Sequence, residues 1–285
     1  MRVLTWNVKG AFPYQAEEDI EAQFEYLNDL TQKPDLLLLN EVNQYRRELI
    51  RDLVTDTLGY DGVVDTLSWA NELRESEIPP HHDIGHTNGN LTAVRDSSCI
   101  EHSPLELFDE VYDDEDIKHL TTHYPEKILV TTCELAGVEI EVWNVRAVPG
   151  GMKGEEKIKI FETVFQRIIN GEEKLRILAG DFNSPDEELP DGQAVFHIDD
   201  KDPKIRDRWR NAALNILKGL GHVGMVDVFR YQWGYGDVDT LDESFGNSRF
   251  DHIIASEELT PTDCYYDAES LDYSDHAALI ADFKI

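Results

Sequence analysis

Short apolar runs alternate with longer amphipathic stretches along the chain, and the two periods predict different elements. Val3 to Val8 reads as a strand at the start. Ala16, Ile20, Phe24, Leu27 and Leu30 recur at helical spacing, which predicts a helix from about Glu17 to Thr31. Asp35 to Asn40 holds an unbroken run of leucines and reads as a strand buried on both faces. A helix is predicted from about Tyr45 to Leu58. The polar stretch from Ser68 to Asn90, with Pro79-Pro80 and several histidines, reads as a long loop. Strands resume near Leu91 to Arg95, Lys127 to Leu135 and Val138 to Arg146. Ile158, Phe161, Phe165 and Ile168 mark a further helix, Leu175 to Ala179 another buried strand, and Arg206 to Leu217 a last helix. The final third predicts strands near Val226 to Phe229, Phe250 to Ala255, Asp263 to Asp267 and Ala277 to Phe283.

The pattern repeats. Thr5-Trp6-Asn7-Val8-Lys9 is echoed by Val142-Trp143-Asn144-Val145-Arg146, and an amphipathic helix follows each. A leucine-bearing strand then ends in an acid, at Asn40-Glu41 and at Gly180-Asp181. Two such halves, each supplying one sheet, predict an α+β fold. Its expected form is a four-layer α/β-β/α sandwich of two packed mixed β-sheets with pseudo-twofold halves. Equivalent strand ends would meet at one edge, bringing Asn7, Glu41, Asn144, Arg146 and Asp181 together. No linker rich in Pro, Gly or Ser divides the chain, so residues 1–285 read as one domain.

Charge complicates the picture. The chain of 285 residues carries 58 Asp plus Glu against 26 Lys plus Arg, a formal net charge of −32. A polyanion should repel nucleic acid. In about 1 M salt, however, the Debye length falls to about 3 Å and the acidic field is largely screened. The acid is spread along the chain, with only Asp113-Asp114-Glu115-Asp116 forming a short run, and resembles the coat of proteins from extreme halophiles. No apolar run approaches the roughly 20 residues of a membrane helix. The beginning of the chain shows no apolar leader, so a cytoplasmic location and no membrane contact are expected. Cys99, Cys133 and Cys264 show no zinc spacing and read as reduced core thiols.

Several positions carry chemistry. Glu41 and Asp181 each end a buried strand, where a carboxylate beside a cleft suits a hard divalent cation such as Mg²⁺. In Gly180-Asp181-Phe182-Asn183, Asp181 can take a proton from water and Asn183 can donate to an anionic oxygen. Asp251, in Arg249-Phe250-Asp251-His252, can fix the tautomer of His276, in Ser274-Asp275-His276, and favour its imidazolium.

This set, with Trp6-Asn7 and Asn40-Glu41, resembles the endonuclease/exonuclease/phosphatase superfamily over essentially the whole chain and in that family's order. The resemblance implies that Glu41 is the principal Mg²⁺ ligand, supported by Asn7, with Mn²⁺ able to substitute. It implies that Asp181 orients or deprotonates the attacking water and that Asn183 donates to the phosphate. His276, oriented by Asp251, would sit beside the scissile phosphate, and Asp275 near a second metal position. The implied reaction is in-line attack of water on a phosphate ester with no covalent intermediate. One position departs from the pattern. Arg146 stands where many members carry a histidine or tyrosine. Arginine stays protonated and cannot act as an ordinary general acid, but it can clamp a phosphate. An ion pair with a nearby acid is the alternative reading.

Other signals are weaker. Lys201, Lys204, Arg206, Arg208 and Arg210, with Trp209 among them, form a candidate phosphate-tracking patch. The acids Asp199, Asp200, Asp202 and Asp207 nearly neutralise it. Arg206, Arg208 and Arg210 are counted with Asn144 as candidate substrate contacts. Arg46, Arg47 and Arg51 read as an exposed helix face. His81, His82 and His86 read as a polar loop, with metal binding as the alternative. The expected activity is a Mg²⁺-dependent phosphodiesterase or nuclease acting on DNA. A phosphoesterase for a small or lipid phosphate of inositol type is the alternative. No obligate protein partner is evident. The chain lacks the Trp-rich stretch that abasic-site endonucleases carry before Arg249-Phe250-Asp251, so abasic-site cleavage is not favoured over general nuclease activity.

Overall fold

The computed structural model describes residues 1–10, 15–67, 88–95, 99–102, 122, 124–150, 154–189, 191–198, 202–235 and 243–285. Its first half opens with β1 (Arg2–Asn7), crosses over through α1 (Glu17–Asp29), and returns as β2 (Leu36–Asn43), parallel to β1. The predicted helix over Tyr45 to Leu58 is broken into three: a 3₁₀ turn (Gln44–Arg46), α2 (Arg47–Asp52) and a π turn (Leu53–Thr57). Then come β3 (Gly62–Asp65) and β4 (Asn88–Val94), paired antiparallel. Asn88 to Asn90, expected in a loop, therefore belong to a strand.

The second half repeats the scheme. An antiparallel run of β5 (Cys99–His102), β6 (Ile128–Leu135) and β7 (Val138–Val145) leads to α3 (Gly154–Asn170). The chain returns as β8 (Arg176–Asp181), parallel to β7. A small hairpin of β9 (Glu187–Glu188) and β10 (Ala194–Val195) precedes α4 (Pro203–Leu217) and β11 (Met225–Asp227). The strand expected over Val226 to Phe229 stops at Asp227, whose side chain accepts from the Arg230 amide and starts α5 (Val228–Trp233). The chain ends with β12 (Asp251–Ser256), β13 (Pro261–Asp267) and β14 (Ala278–Phe283).

The sheet orders are β13-β14-β1-β2-β4-β3 and β11-β12-β8-β7-β6-β5. Each has one parallel pair, β1 with β2 and β7 with β8, closed by a crossover helix and flanked by antiparallel strands. The sequence echo is thus a structural one. Alternation within the leucine strand shows how the layers form. Leu36 and Leu38 face the other sheet, packing with Val142, Ile177 and Ile253. Leu37 and Leu39 face outward onto Ile20, Phe24 and Leu27 of α1. On the far side, Trp143 and Leu178 meet Phe161 and Ile168 of α3 and Ala213 of α4. The result is the expected helix–sheet–sheet–helix sandwich. Among the described residues no helix is long and apolar enough to cross a membrane. Cys133 and Cys264 are buried free thiols.

Candidate active site

Parallel strands β1, β2, β7 and β8 run in register toward one edge, so their carboxyl ends deliver side chains to a common mouth. Asp181 ends β8 and is fully buried. Its backbone N–H donates to Asn40 Oδ1 at 2.9 Å. Gly180 before it has φ +134°, and a Cβ there would collide with the Val145 carbonyl, so the close approach of β7 and β8 requires glycine. Asp181 Oδ2 accepts from Asn7 Nδ2 at 3.0 Å and from Asn183 Nδ2 at 2.9 Å, while Oδ1 accepts from the Asn183 backbone at 2.8 Å. A carboxylate offers about four acceptor sites, so three are filled and one on Oδ1 remains.

Asn183 sits in the left-handed region at φ +48°. Its second amide hydrogen goes to the Ala147 carbonyl at 2.8 Å. Both donors are therefore engaged within the fold, one on Asp181 and one on the Ala147 carbonyl, so Asn183 here orients Asp181. Its carbonyl accepts from Lys157 Nζ of α3. Lys157 is buried between the rings of Phe161 and Trp209, and that burial lowers its pKa to about 8 against the pull of Asp181. Sequence reading missed this lysine. Its signal was a charge in the apolar stripe of a helix, four residues before Phe161.

Glu41 lies where the register of β2 with β4 shifts between Leu39 and Val42, and its φ of +60° aims the side chain into the mouth. Its carboxylate pairs with Arg146 Nη2, and Arg146 Nε lies 3.6 Å from Asp181 Oδ2. Arg146 is buried, held by its backbone N–H on the Lys127 carbonyl at 2.9 Å, and its Nε has no hydrogen-bond partner among the described residues.

Asp251 begins β12 and is the direct register partner of Asp181. Its backbone N–H donates to Ser244 Oγ at 2.9 Å. Its Oδ2 lies 2.7 Å from His276 Nδ1, while its Oδ1 is buried without a partner among the described residues. Burial opposes a charge on His276, but Asp251 outweighs it and pushes the pKa up to about 9. Burial, with Asp251 and Glu41 nearby, raises the pKa of Asp181; His276 and Arg146 pull the other way. The His276 carbonyl accepts from Trp6 Nε1 at 2.8 Å, and Ser274 Oγ donates to the Asn7 carbonyl at 2.7 Å, so β1 carries the histidine as well. Phe245, another residue missed in the sequence, is half-exposed, with its ring 4.7 Å from that of His276.

Ligand atoms of Asp181, Asp251 and His276 lie within 4.8 Å of one another and can hold a metal ion. The orphaned Asp251 oxygen and the crowding of Glu41, Asp181 and Asp251 give an oxygen-rich anionic set, which fits a hard divalent cation.

Other expected contacts lie elsewhere. Asn144 is fully buried between the sheets: its amide donates to the Leu39 and Leu91 carbonyls at 3.3 and 2.8 Å, and its Oδ1 accepts from Asn40 at 2.8 Å. It ties the sheets together, which corrects its reading as a substrate contact. Asp275 is exposed, 3.8 Å from Lys9 Nζ. Arg208 is committed to Glu155 and Glu162 of α3, and Trp209 is packed in the core, so neither is free for a nucleic acid. Arg206 and Arg210 are exposed on α4. Arg47 and Arg51 both serve the buried Asp65, and Arg46 pairs with Glu17. His81, His82 and His86 lie outside the described residues, as do Asp199, Asp200 and Lys201.

Comparison with known proteins gives a consistent result. A sequence profile of the Endonuclease/Exonuclease/phosphatase family matches residues 4–276. No curated protein is a significant match to the chain. Among solved structures, the chain is similar to TDP2 of D. rerio. The humanized form has 17% identity and a TM-score of 0.63, covering 100% of this chain and 99% of that one. The form complexed with single strand DNA product has 18% identity and a TM-score of 0.58, with coverage of 100% and 99%. It is similar to the 3'-5' exonuclease NExo of Neisseria Meningitidis at 20% identity and a TM-score of 0.59, covering 100% of both chains. An AP endonuclease from Archaeoglobus fulgidus has 18% identity and a TM-score of 0.59, again covering 100% of both. At such identities the likeness establishes the fold alone.

Proposed function

The chain belongs to the endonuclease/exonuclease/phosphatase family, and we propose that it hydrolyses phosphodiester bonds of DNA with a divalent cation, Mg²⁺ or Mn²⁺, by direct attack of water on phosphorus. The observation that carries this reading is Asp181. It is buried, turned by two asparagines, left with one acceptor site, and faced by the Asp251–His276 pair. DNA is favoured because one of the similar proteins is complexed with a DNA product and two others are a 3'-5' exonuclease and an AP endonuclease.

Glu41, with Asn7 beside it, would hold the cation, and Asp275 at the rim would belong to any second position. When bound, the cation supplies charge stabilisation at the phosphate oxygens. The chain's own groups do the rest. Asp181 accepts a hydrogen bond from water at its remaining acceptor site and takes its proton as the oxygen attacks. Its raised pKa makes it a better base for this step than an exposed aspartate. His276, held by Asp251 through Nδ1, presents Nε2–H to a non-bridging oxygen. Arg146 offers its unpartnered Nε–H to the same charge. The leaving oxygen takes its proton from solvent, since arginine cannot give one.

The test is hydrolysis of single-stranded, double-stranded and abasic-site DNA, RNA and inositol phosphates, with Mg²⁺ or EDTA. We expect turnover on DNA that EDTA stops. Asp181→Asn should lower it by about 10²- to 10⁴-fold while the circular dichroism spectrum is unchanged. Near-normal turnover of that variant would refute the assignment.

A further inference from the structure

We propose that Arg146 is the resident countercation of the carboxylate cluster, and that a divalent cation binds at Glu41 only against it, so that Arg146 holds metal affinity low. The proposal rests on Glu41 as a cation ligand.

Glu41 and Asp181 come from different sheets and are both buried. Arg146 is the cation set against both, through Nη2 on Glu41 and Nε 3.6 Å from Asp181. Two further basic groups act on Asp181: His276, turned to Asp251, and Lys157, whose Nζ donates to the Asn183 carbonyl. Arg146 cannot move far, because its backbone is fixed on Lys127 and its side chain is buried. It cannot relieve repulsion by losing its proton either. A cation arriving at Glu41 therefore meets a fixed like charge at ion-pairing distance from its principal ligand, where Coulomb repulsion is poorly screened. One acceptor site of Glu41 is already taken by the guanidinium.

Removing the Arg146 charge should then have two effects of opposite sign. Metal affinity should rise, because the competitor is gone. Metal-free stability should fall, because buried Glu41 loses the guanidinium paired with it and Asp181 loses one of the charges that offset its burial. An arginine that served only to hold the fold would lower both when removed.

The experiment is calorimetric titration of EDTA-stripped protein with MnCl₂ and MgCl₂, alongside thermal unfolding in EDTA. We expect Arg146→Gln to bind Mn²⁺ at least about tenfold more tightly than wild type and to melt lower in EDTA. Arg146→Lys, which keeps the charge, should stay near wild-type affinity. Unchanged or weaker binding by Arg146→Gln would overturn the proposal. Glu41→Gln separates this idea from the one beneath it. Wild-type Mn²⁺ affinity in that variant would remove Glu41 as a ligand, whereas lost affinity there with no gain in Arg146→Gln sinks only the role of Arg146.

Discussion

Burial works against a proton on His276, and Asp251, 2.7 Å away, more than restores it. The folded pKa of about 9 stands above the ordinary 6.5, so the folded state binds this proton more tightly than the unfolded chain does. The resulting stabilisation is complete below pH 6.5 and is lost as pH rises through 9. Its upper bound is about 3 kcal/mol. We expect the stability advantage of wild type over His276→Gln, measured by urea denaturation in EDTA, to shrink across that window. A difference independent of pH would show that the pair is not charged. The histidine and its partner were legible in the sequence, as were Glu41 and Asp181, because each stands at the end of an apolar run. Lys157 and Ser244 were not. Lys157 acts on the backbone of Asn183, 26 residues on, and Ser244 on the amides of Phe250 and Asp251 across a turn, and no sequence pattern marks either role.

Asparagines join the strands where the two sheets meet. Asn40 donates to Asn90 at 3.0 Å and Asn144 at 2.8 Å, and Asn90 in turn donates to the Lys127 and Asn144 carbonyls at 2.9 Å. This polar tie at the apolar interface keeps β2, β4 and β7 at the spacing that lets Glu41 and Asp181 face each other. Asn144→Ala would cost the Leu39 and Leu91 carbonyls and the Asn40 side-chain amide one buried partner each. We expect a loss of about 2 kcal/mol or more, read as a lower urea midpoint with unchanged slope. Wild-type stability in that variant would remove the tie from the account. The sequence echo exposed the βαβ halves but misled about Asn144. It stands where Asn7 stands in the first half, yet Asn7 reaches Asp181 while Asn144 is turned between the sheets. Periodicity locates a residue on a strand; which layer covers it depends on the packing of the other half. The engagement of Arg208 on α4 was hidden for a related reason. The sequence shows the run of cations but not that α3 lays Glu155 and Glu162 against Arg208.

For the whole molecule, the net charge of −32 and the pattern of ion pairs point the same way. Cations are concentrated on structural acids: Arg47 and Arg51 on the buried Asp65, Arg249 on Asp227 and Glu188, Arg176 on Glu141. Among the described residues, little positive charge is left to balance exposed acids such as Glu18, Glu21 and Glu25 along α1. Those acids repel one another and hold the molecule under electrostatic tension that salt relieves. The buried pairs are shielded from salt and should be affected far less. We therefore expect the melting temperature to rise steadily as KCl increases from about 0.05 M to about 2 M, the range over which the Debye length drops from above 10 Å to below 3 Å. Replacing Glu18, Glu21 and Glu25 together with glutamine should flatten that rise by lowering the repulsion it relieves. A melting temperature indifferent to KCl would mean that the acidic surface costs no stability in dilute buffer. The same screening governs substrate: with the coat unscreened, the Michaelis constant for DNA should be highest at low salt, the reverse of the trend for a basic nuclease that binds through counterion release.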